Sequence, residues 1–157
     1  MADARRTILR NLTIVTMNDS EQVVFGDLAI ENGRILSVAG PGDHRASDVY
    51  VDCAGMVSIP GLVQAHIHLT QTLFRNHADD LELLDWLRQR IWPFEASHTA
   101  ESSFESARLG ITELLDGGTT SILDMGTVHH HDEVFRAALE SGIRYVGGKT
   151  KIGRAHV

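Results

Sequence analysis

Two histidines, two residues apart, close a short apolar run: Pro60-Gly61-Leu62-Val63-Gln64-Ala65-His66-Ile67-His68. The run reads as a buried strand. Successive side chains of a strand point to opposite faces, so positions i and i+2 share a face, and His66 and His68 can hold one ion between them. Neutral imidazole is a ligand for zinc and for iron. An isolated His-x-His is more often the polar end of a strand, so the pair gains weight only from what accompanies it. Further along stand Glu95, Asp124, the run His129-His130-His131 and Lys149. Each has a plainer reading as well. Glu95 can be an acid at a helix start, and Asp124 can bond neighbouring backbone. The histidine run can be a solvated loop leading into a helix, with Asp132 as its N-cap.

Placing such residues needs a scaffold, and the apolar pattern changes character near Ser58. Before it, Thr7 to Met17, Val23 to Ile30 and Arg34 to Val38 are rich in Val, Ile and Leu, and Asn32-Gly33 is a strong hairpin signal. Val49 to Asp52 adds a strand leading to a turn around Gly55. Residues 1–57 therefore read as a small antiparallel β unit. Over residues 58–150 strands alternate with helical patterns: Leu62 to His68, helices around Leu81 to Arg90 and Ala100 to Leu115, then Thr119 to Met125, Asp132 to Ser141 and Ile143 to Gly147. That is βαβαβ, the signature of a parallel sheet with helices outside. Gly117-Gly118 and Gly142 stand where helix C-caps belong. In such units ligands gather at the carboxyl ends of the strands. His66, His68, Asp124, the histidine run and Lys149 all fall at that edge.

Composition narrows the function classes. The chain has 157 residues, 43% hydrophobic and 22% charged, which is globular composition, and length alone favours one domain. A net charge of -7 without a clustered Lys/Arg stripe argues against a nucleic-acid partner. Cys53 is the single cysteine, so an intrachain disulfide and a Cys-x-x-Cys zinc site are both excluded. No run approaches membrane-spanning length and no signal peptide is visible, which fits the cytoplasm.

With these residues in view, the chain resembles the amidohydrolase superfamily, within it the group of adenosine-type deaminases and triazine hydrolases. The resemblance runs from about Ile8 to Lys149 and rests on separate motifs in order. They are Glu31-Asn32-Gly33-Arg34-Ile35, Asp52 to Gly61, His66-Ile67-His68, Thr72-Leu73-Phe74-Arg75, Ala78-Asp79-Asp80-Leu81, Asp85-Trp86-Leu87, Ile91-Trp92-Pro93-Phe94-Glu95, and Gly117-Gly118-Thr119-Thr120 with Leu123 to His130. It implies an α/β fold: the N-terminal part of a metal-dependent (β/α)8 TIM barrel preceded by part of a small β-sandwich domain. It further implies that His66 and His68 supply two ligands to one divalent metal, zinc or else iron. Glu95 falls on the glutamate that bonds ribose hydroxyls. Lys149 falls on the arginine that holds a substrate carboxylate in homocysteine-handling members. Lysine there offers a point charge without a bidentate fork, which moves the expectation toward a truncated 5' substituent.

The implied reaction is hydrolytic deamination of an adenosine-like nucleoside of the 5'-deoxyadenosine, methylthioadenosine or S-adenosylhomocysteine class. Metal-activated hydroxide attacks C6 and ammonia leaves. The general acid/base and the remaining ligands, two histidines and an aspartate, belong to later strands of the family barrel. A full barrel takes about 250 residues, so the chain reads as an N-terminal fragment, inactive and prone to self-association alone, of a parent that forms a homo-oligomer and takes a small-molecule substrate. Residues 151–157 fit no family pattern and read as a non-native tail. Two alternatives stand beside this expectation. One is a related hydrolase cleaving C–N or C–Cl bonds of a triazine, guanine or other heterocycle; the other is a non-catalytic truncated protein.

Overall fold

The computed structural model describes residues 6–40, 45–77, 80–148 and Thr150. Ala78, Asp79, Lys149 and residues 151–157 lie outside the described residues. The chain divides into two compact units, Met1–Pro60 and Gly61–Val157, where length alone favours one.

In the first unit, β1 (Thr7–Val15), β2 (Val23–Glu31), β3 (Arg34–Val38), β4 (Val49–Asp52) and β5 (Val57–Ser58) form one sheet in the order β3-β2-β1-β4, with β5 also on β1. The Asn32-Gly33 hairpin forms with both residues at positive φ, 51° and 70°, the backbone that an Asn-Gly turn supplies at low cost. The antiparallel expectation holds for β1, β2 and β3 but not for the rest, because β4 and β5 run parallel to β1. The reason is topological. After β3 the chain returns to the beginning of β1, where the Val49 N–H donates to the Arg6 carbonyl over 2.9 Å, and β4 then starts in the same direction as β1. Leu12, Ile14, Leu28 and Cys53 form a small core.

The second unit runs β6 (Leu62–Ile67), a 3₁₀ turn (Leu69–Phe74), α1 (Leu83–Trp86) continuing into a π turn (Leu87–Ile91), α2 (Trp92–Ser97), α3 (Ala100–Asp116), β7 (Thr119–Asp124), α4 (His131–Ser141) and β8 (Arg144–Gly147). The three strands are parallel, in the order β6-β7-β8. Thr99 opens α3 with a capping box: its hydroxyl accepts from the Ser102 N–H, and the Ser102 hydroxyl accepts from the Thr99 N–H. Gly117 and Gly142 end α3 and α4 as expected, Gly142 with φ 73°. The start of α4 corrects an expectation. His130, not Asp132, occupies the N-cap, in a left-handed backbone and without a side-chain cap; Asp132 already lies in the first turn, where its charge meets the positive end of the helix instead.

Helices α3 and α4 cover one face of this sheet. Leu69, Phe104, Ala107, Ile111, Ile122, Val134, Ala137, Ala138 and Ile143 form the core there, with Ile67 and Tyr145 packed against it. Because side chains alternate along a strand, Ile122 and Asp124 are buried while Leu123 between them is 40% exposed. Val146, paired with Leu123 across β7 and β8, is also exposed.

Candidate metal centre

His66 lies near the end of β6, and His68 follows the strand in extended backbone, φ -126° and ψ 90°. The two rings approach to 5.3 Å between centroids at 67°. His66 is exposed and His68 half-buried. Burial pushes the His68 imidazole below its usual range, helped by neighbouring His66, while Asp124 and Glu95 pull the other way. The net effect favours the neutral ring, the form that ligates a metal. The Nδ1 of His68 is buried and has no hydrogen-bond partner, an atom that an ion could satisfy.

The backbone just after His68 is held by side chains from several elements. Asp124, buried at the end of β7, accepts from the Leu69 N–H over 3.1 Å. The Ser106 hydroxyl of α3 lies 3.0 Å from the carbonyls of Leu69 and Thr70, and the Thr72 hydroxyl donates to Leu69 over 2.9 Å. Buried His98 places Nε2 at 2.8 Å from the Thr70 carbonyl, which requires that nitrogen to carry the proton. Leu69 is itself fully buried. A cleft of about 590 Å³ opens beside the pair, lined among others by His66, His68, Gln71, Phe74 and Trp86.

Glu95 sits in the first turn of α2, half-buried. One of its oxygens accepts from Gln71 Nε2 over 2.9 Å, and the other lies 3.4 Å from the Thr127 hydroxyl. Its field also reaches His68. Glu95 is therefore a carboxylate held in place between two elements, more than an isolated helix-start acid. Asp124 behaves as its plainer reading anticipates, bonding backbone, and its second oxygen accepts from the Tyr145 hydroxyl of β8 over 2.8 Å. Burial first, and the Asp124 charge second, push the Tyr145 phenol well above its ordinary 10.0.

The remaining residues divide. His129 and His130 are exposed, as a solvated loop requires. His131 is buried, with its ring 4.9 Å from that of Phe135 and its Nε2 3.4 Å from the Tyr145 hydroxyl, so the loop reading fails for this member. Lys149 lies outside the described residues. Sequence reasoning passed over Gln71, His98, Ser106 and Tyr145. Their single-residue signals are those of ordinary polar positions, and only the contacts reveal what they do. Among the described residues no group of three or more His, Cys, Asp or Glu can hold a metal, and His66 and His68 stand together as a pair.

The parallel β/α unit and the paired imidazoles at a strand end can be set beside known proteins. Residues 57–155 match the amidohydrolase family, and the chain belongs to that family. It is 36% identical over 143 residues to a 5-methylthioadenosine/S-adenosylhomocysteine deaminase of Caldicellulosiruptor saccharolyticus, covering 88% of this chain and 33% of the relative. It is 39% identical over 138 residues to a 5'-deoxyadenosine deaminase of Methanosarcina mazei, covering 87% and 31%. Among solved structures it superposes with TM-score 0.81 and 25% identity on the zinc-complexed atrazine chlorohydrolase of Arthrobacter aurescens TC1, covering 95% of this chain and 37% of that one. The chain thus spans about a third of the length of the curated relatives it matches. Its three β/α strands are the beginning of the amidohydrolase barrel. Members of this family depend on a metal. No described helix is long and apolar enough to cross a membrane.

Proposed function

We propose that the complete protein is a metal-dependent aminohydrolase that deaminates an adenosine-like nucleoside, with His66 and His68 holding its divalent metal, zinc in first place and iron in second. The observation that carries this is the histidine pair itself: two imidazoles from one strand end, their rings 5.3 Å apart, opening on a cleft. A divalent ion bound there supplies a water activated for attack near neutral pH. The chain's own residues do the rest of the work visible here. Glu95 accepts hydrogen bonds from two vicinal ribose hydroxyls, a task a carboxylate can perform with both oxygens. Gln71 and Thr127 hold that carboxylate in line. Lys149, which falls in sequence on the family's carboxylate-holding arginine, would offer the substrate a single point charge, which favours a short 5' substituent over a homocysteine tail. The general acid/base and the other ligands come from outside this chain.

In the same proposal, residues 1–57 belong to the small β domain, residues 58–150 to the first three β/α units, and residues 151–157 to a non-native tail. The whole protein works as a cytoplasmic homo-oligomer on a small molecule, without nucleic acid or membrane. The names of the two deaminase relatives support the nucleoside, and Glu95 supports it against a free base. The chlorohydrolase likeness favours the second reading, a hydrolase of a triazine or other heterocycle.

Ammonia release from full-length protein decides between them. His66→Ala and His68→Ala should each lower turnover of 5'-deoxyadenosine by at least about a thousandfold, since metal activation is worth several kcal/mol. Wild-type rates in either variant would remove the metal assignment. Glu95→Gln should cost about 10–100-fold in kcat/KM on the nucleoside, in line with roughly 1.5–3 kcal/mol for a charged hydrogen bond, and leave adenine turnover unaltered. Equal loss on both substrates, or none, would favour the heterocycle reading.

A further inference from the structure

Asp124 and Met125 are consecutive, and between them they grip the backbone on both sides of His68. The Met125 N–H donates to the Ile67 carbonyl over 2.8 Å, and the Asp124 carboxylate accepts from the Leu69 N–H over 3.1 Å. The first bond is ordinary sheet pairing carried one residue past the strand end. The second is not, because a side chain supplies the acceptor. Beyond it the Leu69 carbonyl is already taken by Ser106 and Thr72. The peptide plane joining His68 to Leu69 is held at its N–H by the Asp124 side chain and at its carbonyl by the Gln71 N–H over 3.0 Å. A shift of the backbone here would move the His68 ring; exposed His66 is held differently, its carbonyl accepting from Gln64 Nε2 over 3.2 Å.

Asp124 is itself held. Its other oxygen accepts from the Tyr145 hydroxyl over 2.8 Å, and His131 Nε2 lies 3.4 Å from the same hydroxyl. Tyr145 packs edge-on to Phe135, ring centroids 5.1 Å apart, so the phenol is anchored between β8 and α4. With one oxygen on Leu69 and the other on Tyr145, the carboxylate is engaged at both ends and is not offered to an ion. It is a brace for the metal motif, spanning three strand ends.

We propose that Asp124 is a positioning residue for His68: it orients the imidazole by holding the Leu69 peptide N–H, and Tyr145 keeps its carboxylate turned for that task. The proposal rests on the assignment of His66 and His68 as ligands. Partners that orient a ligand, when lost, weaken metal binding by about 10–100-fold and alter the geometry the metal reports.

The experiment titrates metal-stripped full-length protein with zinc against a chromophoric chelator and records the visible spectrum of the cobalt-loaded form. Wild type, His68→Ala, Asp124→Ala, Asp124→Asn and Tyr145→Phe are compared, with the melting temperature of each metal-free form. Asp124→Ala should weaken zinc about 10–100-fold and shift the cobalt bands. Asp124→Asn keeps an acceptor for the Leu69 N–H but loses one for Tyr145, so it should fall between wild type and the alanine variant. Tyr145→Phe should follow in the same direction by a few-fold. If Asp124→Ala does not fold, the asparagine and phenylalanine variants carry the test, because a purely structural role would lower their melting temperature while leaving affinity and cobalt spectrum at wild-type values. That pattern, together with loss of zinc in His68→Ala, would overturn the positioning role and leave the ligand assignment standing. Wild-type zinc affinity in His68→Ala would overturn the ligand assignment and this proposal with it.

Discussion

The Met1–Pro60 unit and the Gly61–Val157 unit both expose apolar sheet surface, yet they differ in where their polar side chains stand. In the first, polar groups pair with one another. Arg6 meets Asp48 through two hydrogen bonds, Nε to Oδ1 at 3.0 Å and Nη2 to Oδ2 at 2.6 Å, with both side chains almost fully buried. Asn11 likewise ties Asp27 to Asp52, donating from its backbone N–H to one and from its side chain to the other. In the second unit two helices take the burden of burial on one face, and the histidine pair at the end of β6 lines a cleft. There His68 keeps a buried ring nitrogen without a partner. Satisfied polar groups stabilise a fold; groups left open beside a cavity are available to a ligand. The open nitrogen beside the cleft supports placing the proposed site in the second unit.

Three measurements probe that contrast, beginning with the largest effect. Ile111 is 1% exposed in the core beneath α3, so Ile111→Ala should destabilise the β/α unit by about 2–5 kcal/mol in denaturant unfolding. A loss below roughly 1 kcal/mol would mean that helix burial is not what holds this unit. Thr99→Ala removes one side of the capping box of α3 and should cost about 1 kcal/mol in the same assay. No change would show that α3 is set by packing alone. The smallest effect belongs to the first unit. The Arg6 guanidinium holds the Asp48 carboxyl at about 2, below its ordinary 3.8. A carboxylate with a lowered folded-state value contributes stability that is complete above the ordinary value and is lost as pH falls toward the folded one. Strands β1 and β4 should therefore lose hydrogen-exchange protection between about pH 4 and pH 2. Arg6→Met should flatten that dependence, and an unchanged acid profile would refute the pairing.

Much of this was legible in the chain. The Asn32-Gly33 turn follows from two residues that tolerate positive φ, and the α4 stop from Gly142 in the same way. The shared face of His66 and His68 follows from strand alternation. The parallel run of β4 was not legible, because a four-residue strand looks the same in either direction and only its partner decides. Nor was the fate of His131. Three adjacent histidines are alike as letters, and a helix that starts at the third rotates that one into the core while leaving two in solvent.

Local rules, then, set the strands, the caps, the hairpin and the pair of imidazoles, because each depends on residues within a turn or a strand of one another. The tertiary structure alone brought Asp124 to the Leu69 N–H across 55 positions, and Gln71 to Glu95 across 24. Such meetings are fixed by how β6, β7 and the helices stack, and the free energy that selects them comes from burying Leu69, Ile111, Ile122 and Val134 together, a collective quantity that no short stretch of sequence contains.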